Sequence, residues 1–215
     1  MEDFFAFGRT DTANMMTFIS SLGLTLGKHR AVDFGCGLGR STQALVSYFD
    51  EVYGVDIAPS ILTLARAYNQ HPDKCRYILN STNDLAMFED NSIDFACSFA
   101  TLQHVEPRVS AKYIKEFLRI LVPGGVLLFN LPSVPERTGK GFLLGLMPNR
   151  VINLYRKRKY GRKTYSIPQR HTIEIIERTG GTVMACRRDH VNTISDHWVT
   201  VEYCVSKQTR MSRTE

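Results

Sequence analysis

The sequence has no apolar run approaching the roughly 20 residues that a bilayer-spanning helix requires. Its first residues, MEDFFAFGRTD, place two acids before any base, which is not the pattern of a secretory signal. Its five cysteines (Cys36, Cys75, Cys97, Cys186, Cys204) are odd in number, scattered and without a CxxC pair. That spacing excludes a disulfide framework and a structural zinc site, so no metal is expected and a reducing, cytoplasmic setting is. Internal repeats are absent. Acidic residues are missing between Glu136 and Glu174, a stretch that holds ten bases, from Arg137 and Lys140 through Arg156-Lys157-Arg158-Lys159 to Arg170. The remainder carries 17 bases against 21 acids, so the net charge of +6 belongs to one segment and not to the whole surface.

At 215 residues the chain suits one domain, 1–215. Residues 11–22 read as an amphipathic helix capped by Thr10 or Asp11, within an N-terminal helical cap over 1–29. Short apolar strands follow at Arg30–Phe34, Glu51–Asp56, Cys75–Leu79, Ile93–Phe99 and Val126–Leu131. Helices are expected between them at Arg40–Phe49, Pro59–Asn69 and Val109–Leu121, the last broken by Pro123-Gly124-Gly125. Residues 132–165 interrupt this rhythm as a basic insert after the fifth strand. A helix over Pro168–Thr179, ended by Gly180-Gly181, then leads to a hairpin of Thr182–Arg187 and Trp198–Ser206, with Lys207–Glu215 frayed. Alternating strands and helices predict a doubly wound α/β fold, a parallel sheet with helices on both faces.

The stretch Val32-Asp33-Phe34-Gly35-Cys36-Gly37-Leu38-Gly39-Arg40 leaves a strand and opens a helix. Glycines at such a turn let the backbone bend sharply and approach a ligand closely. A glycine turn alone also suits a dinucleotide, and Asp33 separates the two readings. A carboxylate there would repel a pyrophosphate but attract the ammonium and sulfonium of S-adenosylmethionine. The spacing is also G-x-G-x-G and not the dinucleotide G-x-G-x-x-G. Asp56 closes the second strand, where a carboxylate accepts ribose hydroxyls; capping the helix at Pro59 is its alternative role. Cys36 occupies the loop as a small residue and need not be reactive.

Four segments in order resemble the class I S-adenosylmethionine-dependent methyltransferases: AVDFGCGLGRST, VYGVDIAPSIL, NDLAMFEDNSIDFACSFATLQHV and FLRILVPGGVLLF. The resemblance covers about Arg30–Asn130 and implies a Rossmann-like seven-stranded, mostly parallel sheet of order 3-2-1-4-5-7-6 with strand 7 antiparallel. It implies S-adenosylmethionine contacts at Asp33, Gly35, Cys36, Gly37, Gly39, Asp56 and Ile57. Asp84 with Leu85 occupies the adenine-side loop; the family's Gly-Asp pair is not visible there, so Asn83 competes. Ser98 and Phe99 end the fourth strand on the methionyl side. Gln103 and His104 follow at its carboxyl end, where His104 is either a base for the acceptor's proton or a structural histidine. FFAFGRTD resembles a segment that folds over the cofactor, with Arg9 meeting its carboxylate.

In this fold the acceptor is chosen by inserted segments. The apolar Gly141–Met147 stretch followed by the basic run suggests a lid over the acceptor that faces an anionic partner, either a membrane surface reached through 137–170 or a nucleic acid. The expected acceptor is a small-molecule or lipid- or glycan-linked hydroxyl, with the protein cytoplasmic or peripheral at the inner face of a membrane. RNA methylation is the runner-up, weakened by the acidic remainder and by Ser98-Phe99-Ala100-Thr101 standing where amino-methylating enzymes carry Asn-Pro-Pro-Tyr. An NAD-dependent oxidoreductase and a non-catalytic S-adenosylmethionine-binding scaffold are the alternatives of other classes.

Overall fold

Seven strands build one sheet in the order β3-β2-β1-β4-β5-β7-β6: β1 (Arg30–Phe34), β2 (Glu51–Asp56), β3 (Cys75–Leu79), β4 (Ile93–Ser98), β5 (Leu121–Pro135), β6 (Gly181–Arg188) and β7 (Trp198–Lys207). Strands β1 to β5 pair in parallel; β7 runs antiparallel to both β5 and β6. This is the sheet order and strand sense that the family resemblance implied. The computed structural model describes residues 1–135, 147, 151, 154, 158, 163–189 and 198–208.

Two hydrophobic layers sandwich the sheet. On one face α1 (Glu2–Ser21), α2 (Arg40–Leu45) and α3 (Pro59–Ala67) bury Met15, Ile19, Leu45, Leu62 and Ala65 against Ala31, Phe95 and Leu128. On the other, α4 (Pro107–Ile120) and α5 (Gln169–Arg178) bury Ile114, Phe117, Leu118 and Ile176 against Val32, Phe129 and Tyr203. Residues alternate between the two layers along each strand, as a pleat with a period of two requires. Proline starts α3 and α4, where its missing N–H costs nothing. No helix among the described residues is long and apolar enough to cross a membrane.

Three elements differ from the expectation. Helix α1 begins at Glu2, because Phe5, Gly8 and Thr12 continue the buried stripe of Met15 and Ile19 back by two turns. Thr10 is therefore helix interior, its hydroxyl donating to Ala6 O (3.3 Å), and Asp11 pairs with Arg40 instead of capping. Helix α2 is only six residues long. Strand β5 starts before Pro123-Gly124-Gly125 and runs past Leu131. Gly124 adopts φ +79°, and a register shift lets Leu121 pair with Ile93 and Val126 with Phe95, so the glycines form a bulge and not a break. At the other end Lys207 closes β7, donating to Asn91 Oδ1 (2.7 Å), Leu121 O (2.7 Å) and Arg119 O (3.0 Å). The expected fraying of Lys207–Glu215 does not begin at Lys207, which is held in β7, nor at Gln208, whose N–H donates to Gly180 O at 2.9 Å; 209–215 lie outside the described residues, as does most of the basic insert.

Candidate active site

The glycine loop sits at the carboxyl end of β1. Gly35, Gly37 and Gly39 all have positive φ (79°, 55° and 83°), a conformation costly for any side chain. A Cβ on Gly35 would strike Thr101 of the loop after β4, and one on Gly39 would strike the Tyr77 hydroxyl. Gly37 differs: among the described residues nothing lies within 4 Å of the position its Cβ would take.

Asp56 closes over this loop from β2. Gly37 N–H donates to its Oδ2 and Ala58 N–H to its Oδ1, both at 3.0 Å. The carboxylate thus holds the turn that leads into α3 and braces the glycine turn as well; the side chain makes no cap bond to the helix itself. It also fills with an anion the amide that a pyrophosphate would need. Beside it Ile57 is 73% exposed, an apolar shelf at the end of β2.

Asp33 is buried. It accepts from the Thr42 hydroxyl at 2.6 Å and lies 3.7 Å from Cys97 Sγ. Burial pushes its carboxyl above the usual range, and the bond from Thr42 opposes that shift. Cys36 is buried as well. Burial, with Asp33 and Asp56 nearby, raises its thiol far above the normal range, so it is no nucleophile.

On the expected adenine side Asp84 accepts from the Thr82 hydroxyl (2.8 Å) and faces Lys112 (3.6 Å). The Thr82 bond holds its carboxyl below the usual range. Asn83 is exposed. Leu85 points away: its side chain is in the core, its N–H donates to Glu116 and its carbonyl accepts from Arg119. The residue that shapes this loop is one the sequence reading passed over. Asn80 is buried, donates to Asp84 O (3.0 Å) and accepts from Thr82 N–H (3.1 Å).

Past β4, Ser98 is fully buried with its hydroxyl oxygen lacking a hydrogen-bond partner among the described residues, and Phe99 is half-buried. Ala100 turns with φ +53°. His104 is exposed. Its Nδ1 lies 3.1 Å from Lys163 O, which can only accept, so Nδ1 carries the proton and Nε2 receives the Gln103 amide at 3.3 Å. It opens on a shallow groove with Glu106, Lys163 and Tyr165.

A separate cleft of about 590 Å³ lies between α1 and the sheet, lined by Asp11, Phe18, Arg40, Phe99, Asp189 and Glu202 among others. Its charges are largely matched. Arg40 pairs with Asp11 (3.3 Å) beneath the rings of Phe4 and Phe7, and Arg187 pairs with Glu202 (2.7 Å) over the face of Phe18. Burial raises the Glu202 carboxyl and Arg187 opposes it. Arg9 lies on the exposed side of α1, next to Gly8.

The family model of the methyltransferase domain matches residues 32–129, from the glycine loop through β5. Residues 32–129 thus carry a methyltransferase domain. Curated relatives include a ubiquinone biosynthesis O-methyltransferase of Hydrogenovibrio crunogenus, 30% identical over 59% of this chain and 51% of the relative. A tRNA N(3)-methylcytidine methyltransferase of Drosophila melanogaster is 30% identical over 45% of this chain and 32% of its own length. The chain spans about half the length, or less, of these relatives. Among solved structures, a methyltransferase from Mesorhizobium loti superposes with TM-score 0.66 at 18% identity, covering 89% of this chain and 96% of that one. A magnesium protoporphyrin IX methyltransferase from Synechocystis PCC 6803, with bound S-adenosylhomocysteine, gives 0.65 at 14% identity, covering 96% and 86%. At those identities the structures show that the class I methyltransferase fold is shared, and nothing about the acceptor.

Proposed function

We propose that this methyltransferase moves a methyl group from S-adenosylmethionine to the oxygen of a small molecule. The observation that carries this is the cleft beside Phe99: about 590 Å³, within the ordinary range for a small-molecule pocket, and opening next to the glycine loop.

The residues present fit the cofactor. Among the described residues nothing fills the space before Gly37 and nothing pairs with the buried Ser98 hydroxyl; Asp56 keeps acceptor capacity for ribose hydroxyls, and Ile57 offers an exposed apolar shelf. Once bound, S-adenosylmethionine supplies an electrophilic methyl group. The chain's own part is to hold, orient and exclude water, and proximity supplies much of the acceleration. His104 has both ring nitrogens engaged, which favours its role as a tie between the β4 loop and Lys163 over that of a base. An NAD reading is disfavoured because Asp56 already occupies the Gly37 amide.

The O-methyltransferase relatives support oxygen as the acceptor atom. The tRNA-modifying relative supports the runner-up, and the paired arginines of the cleft weigh against RNA. The test is transfer of labelled methyl from S-adenosylmethionine to a panel of hydroxylated small molecules and, in parallel, to total RNA. Label in the small molecules is expected; label in RNA alone overturns the reading.

The basic insert supports a second contact, with an anionic lipid surface. Met147, Val151 and Leu154 are exposed, the latter two helical along with Arg158, within the acid-free segment. Flotation with anionic but not neutral vesicles, weakened by salt, is the expected result.

A further inference from the structure

One row of residues crosses the carboxyl end of the sheet on its α1 side. Strand register sets Arg187 of β6 opposite Glu202 of β7, and Glu202 opposite Asn130 of β5. Ser98 pairs with Phe129, so Phe99 stands beside Asn130 in the next rung. Val201, Tyr203 and Val205 turn into the layer under α4 and α5, and Cys204 into the layer under α1. Alternation therefore puts Glu202 on the α1 side, where it lines the cleft with Arg187, Phe99 and Phe18.

Glu202 is 7% exposed between Val201 and Tyr203, and a charge buried there is costly unless a partner meets it. Arg187 is that partner, yet it meets half of the carboxylate. Its Nε (2.9 Å) and its Nη2 (2.7 Å) both donate to Oε1. A fork that gave one N–H to each oxygen would have closed the group. Here Oε2 receives no donor among the described residues. The adjacent Asn130 amide is engaged elsewhere, accepting from Ala100 N–H (2.8 Å) and donating to Asp189 (2.7 Å). Arg187 is itself held in place, with Cζ 3.7 Å from the centroid of the Phe18 ring. Burial raises the Glu202 carboxyl, and the guanidinium opposes that and favours the charged form. The other charges that line the cleft are Asp11 and Arg40, which pair with each other, and Arg188 and Asp189 at the end of β6.

Phe99 and Glu202 stand two strands apart, about 10 Å at ordinary strand spacing. A six-membered ring with its hydroxyl fits that interval, its ring against Phe99 and its O–H toward Oε2. A buried group built to receive a hydroxyl hydrogen rejects a ligand that has none to give. An O-methylated ring has none, so the same carboxylate disfavours a ring that already carries the methyl group.

We propose that Glu202 selects the acceptor, its Oε2 receiving the hydroxyl hydrogen of a ring seated against Phe99, and that Arg187, stacked on Phe18, is the positioning residue that holds it. This rests on the reading that the acceptor is a small molecule bound in the cleft.

Phenol and anisole test it, because they share ring and oxygen and differ in the hydrogen. Dissociation constants for both are measured by NMR titration in the presence of S-adenosylhomocysteine, together with Tm and with S-adenosylhomocysteine affinity by calorimetry. Wild type should bind phenol about ten- to a hundredfold more tightly than anisole, the range for a hydrogen bond to a charged group. Glu202→Gln should remove most of that preference while S-adenosylhomocysteine affinity holds. Glu202→Gln combined with Arg187→Gln removes both charges together and strands neither, so it serves where the single variant fails to fold, and it should lose the preference equally. Arg187→Lys keeps a charge but neither the fork nor the stack, and should lower the preference in part. A wild type that does not distinguish the two ligands overturns the proposal. So does a preference that survives in the glutamine variants, which makes the pair a strut between β6 and β7. Methyl label in RNA alone removes the underlying reading instead. Label in hydroxylated rings, with a phenol preference indifferent to Glu202→Gln, refutes this assignment and leaves that reading standing.

Discussion

Replacing Gly8 with alanine sets two effects of opposite sign against each other. In a helix interior, Gly→Ala ordinarily stabilises by about 1 kcal/mol, because alanine loses less backbone entropy and has the best helix propensity. Gly8, however, is where α1 crosses the start of α2. A Cβ there would lie 2.5 Å from Arg40 O and 2.6 Å from Arg40 Cγ. The side-chain atom can move aside; the carbonyl belongs to the first turn after the glycine loop and cannot. Overpacking of this kind costs about 1–3 kcal/mol. The net expectation is a loss of about 0–2 kcal/mol, opposite in sign to the propensity gain. Lifting α1 also loosens Arg40 from Asp11, Phe4 and Phe7 and widens the cleft, so S-adenosylhomocysteine should bind more weakly too. Urea unfolding and calorimetry measure the two quantities. Ala13→Gly, further along the same helix, serves as the propensity control and should cost about 1 kcal/mol. A Gly8→Ala protein stabilised by about 1 kcal/mol with unchanged ligand affinity would refute the seating of α1 on the glycine loop.

Asp56→Asn keeps an acceptor for one of the two backbone amides but removes the charge facing the ribose position; S-adenosylhomocysteine affinity should fall by about 1.5–3 kcal/mol with a modest drop in Tm. An unchanged dissociation constant places Asp56 outside the ligand's reach. Glu116 is held below its ordinary value of 4.5 chiefly by the bond from Arg119. A carboxyl lowered on folding stabilises above its unfolded value, and that contribution drains away as pH falls from about 4.5 through the folded value. Glu116→Gln should therefore lower Tm at pH 6 and reduce the further loss on going to pH 3.5; parallel Tm–pH curves for both proteins contradict the assignment. His104→Ala should raise the acceptor KM and leave S-adenosylhomocysteine affinity intact, as expected for a tie to Lys163. A fall of about 10²–10⁴ in kcat at constant KM would instead make it the base.

The parts of the fold that the sequence revealed are those written in local pattern. Strand β1 running into three glycines, proline at the first position of α3, and Gly180-Gly181 ending α5 each speak within about ten residues. Two local signals misled. Thr10 and Asp11 have the chemistry of an N-cap, but burial of Phe5 and Gly8 pulls the helix back past them. Pro123-Gly124-Gly125 resembles a break, yet its flanks both find partners in β4. What no local pattern holds is a side chain bonded to distant backbone. Asp94 receives His29 and Arg30 N–H from more than sixty residues away, and Asn130 meets Asp189 across 59. Asn130 did leave one trace, a lone amide in an apolar strand; Asn80 left none.

The position of β7 has a consequence for how the chain can be made. It follows β6 in sequence but lies between β5 and β6 in space. While the protein emerges from the ribosome, the long β5 strand must wait with one row of N–H and C=O groups unpaired, flanked by Leu127, Phe129 and Leu131, until Trp198–Lys207 arrives. An open apolar strand edge is a template for pairing with another nascent copy. Chains stopped short of Trp198 should therefore collect as aggregates and not as partly folded monomers, and Lys207, gripping three oxygens beside the β5 entrance, acts as the latch that ends that interval.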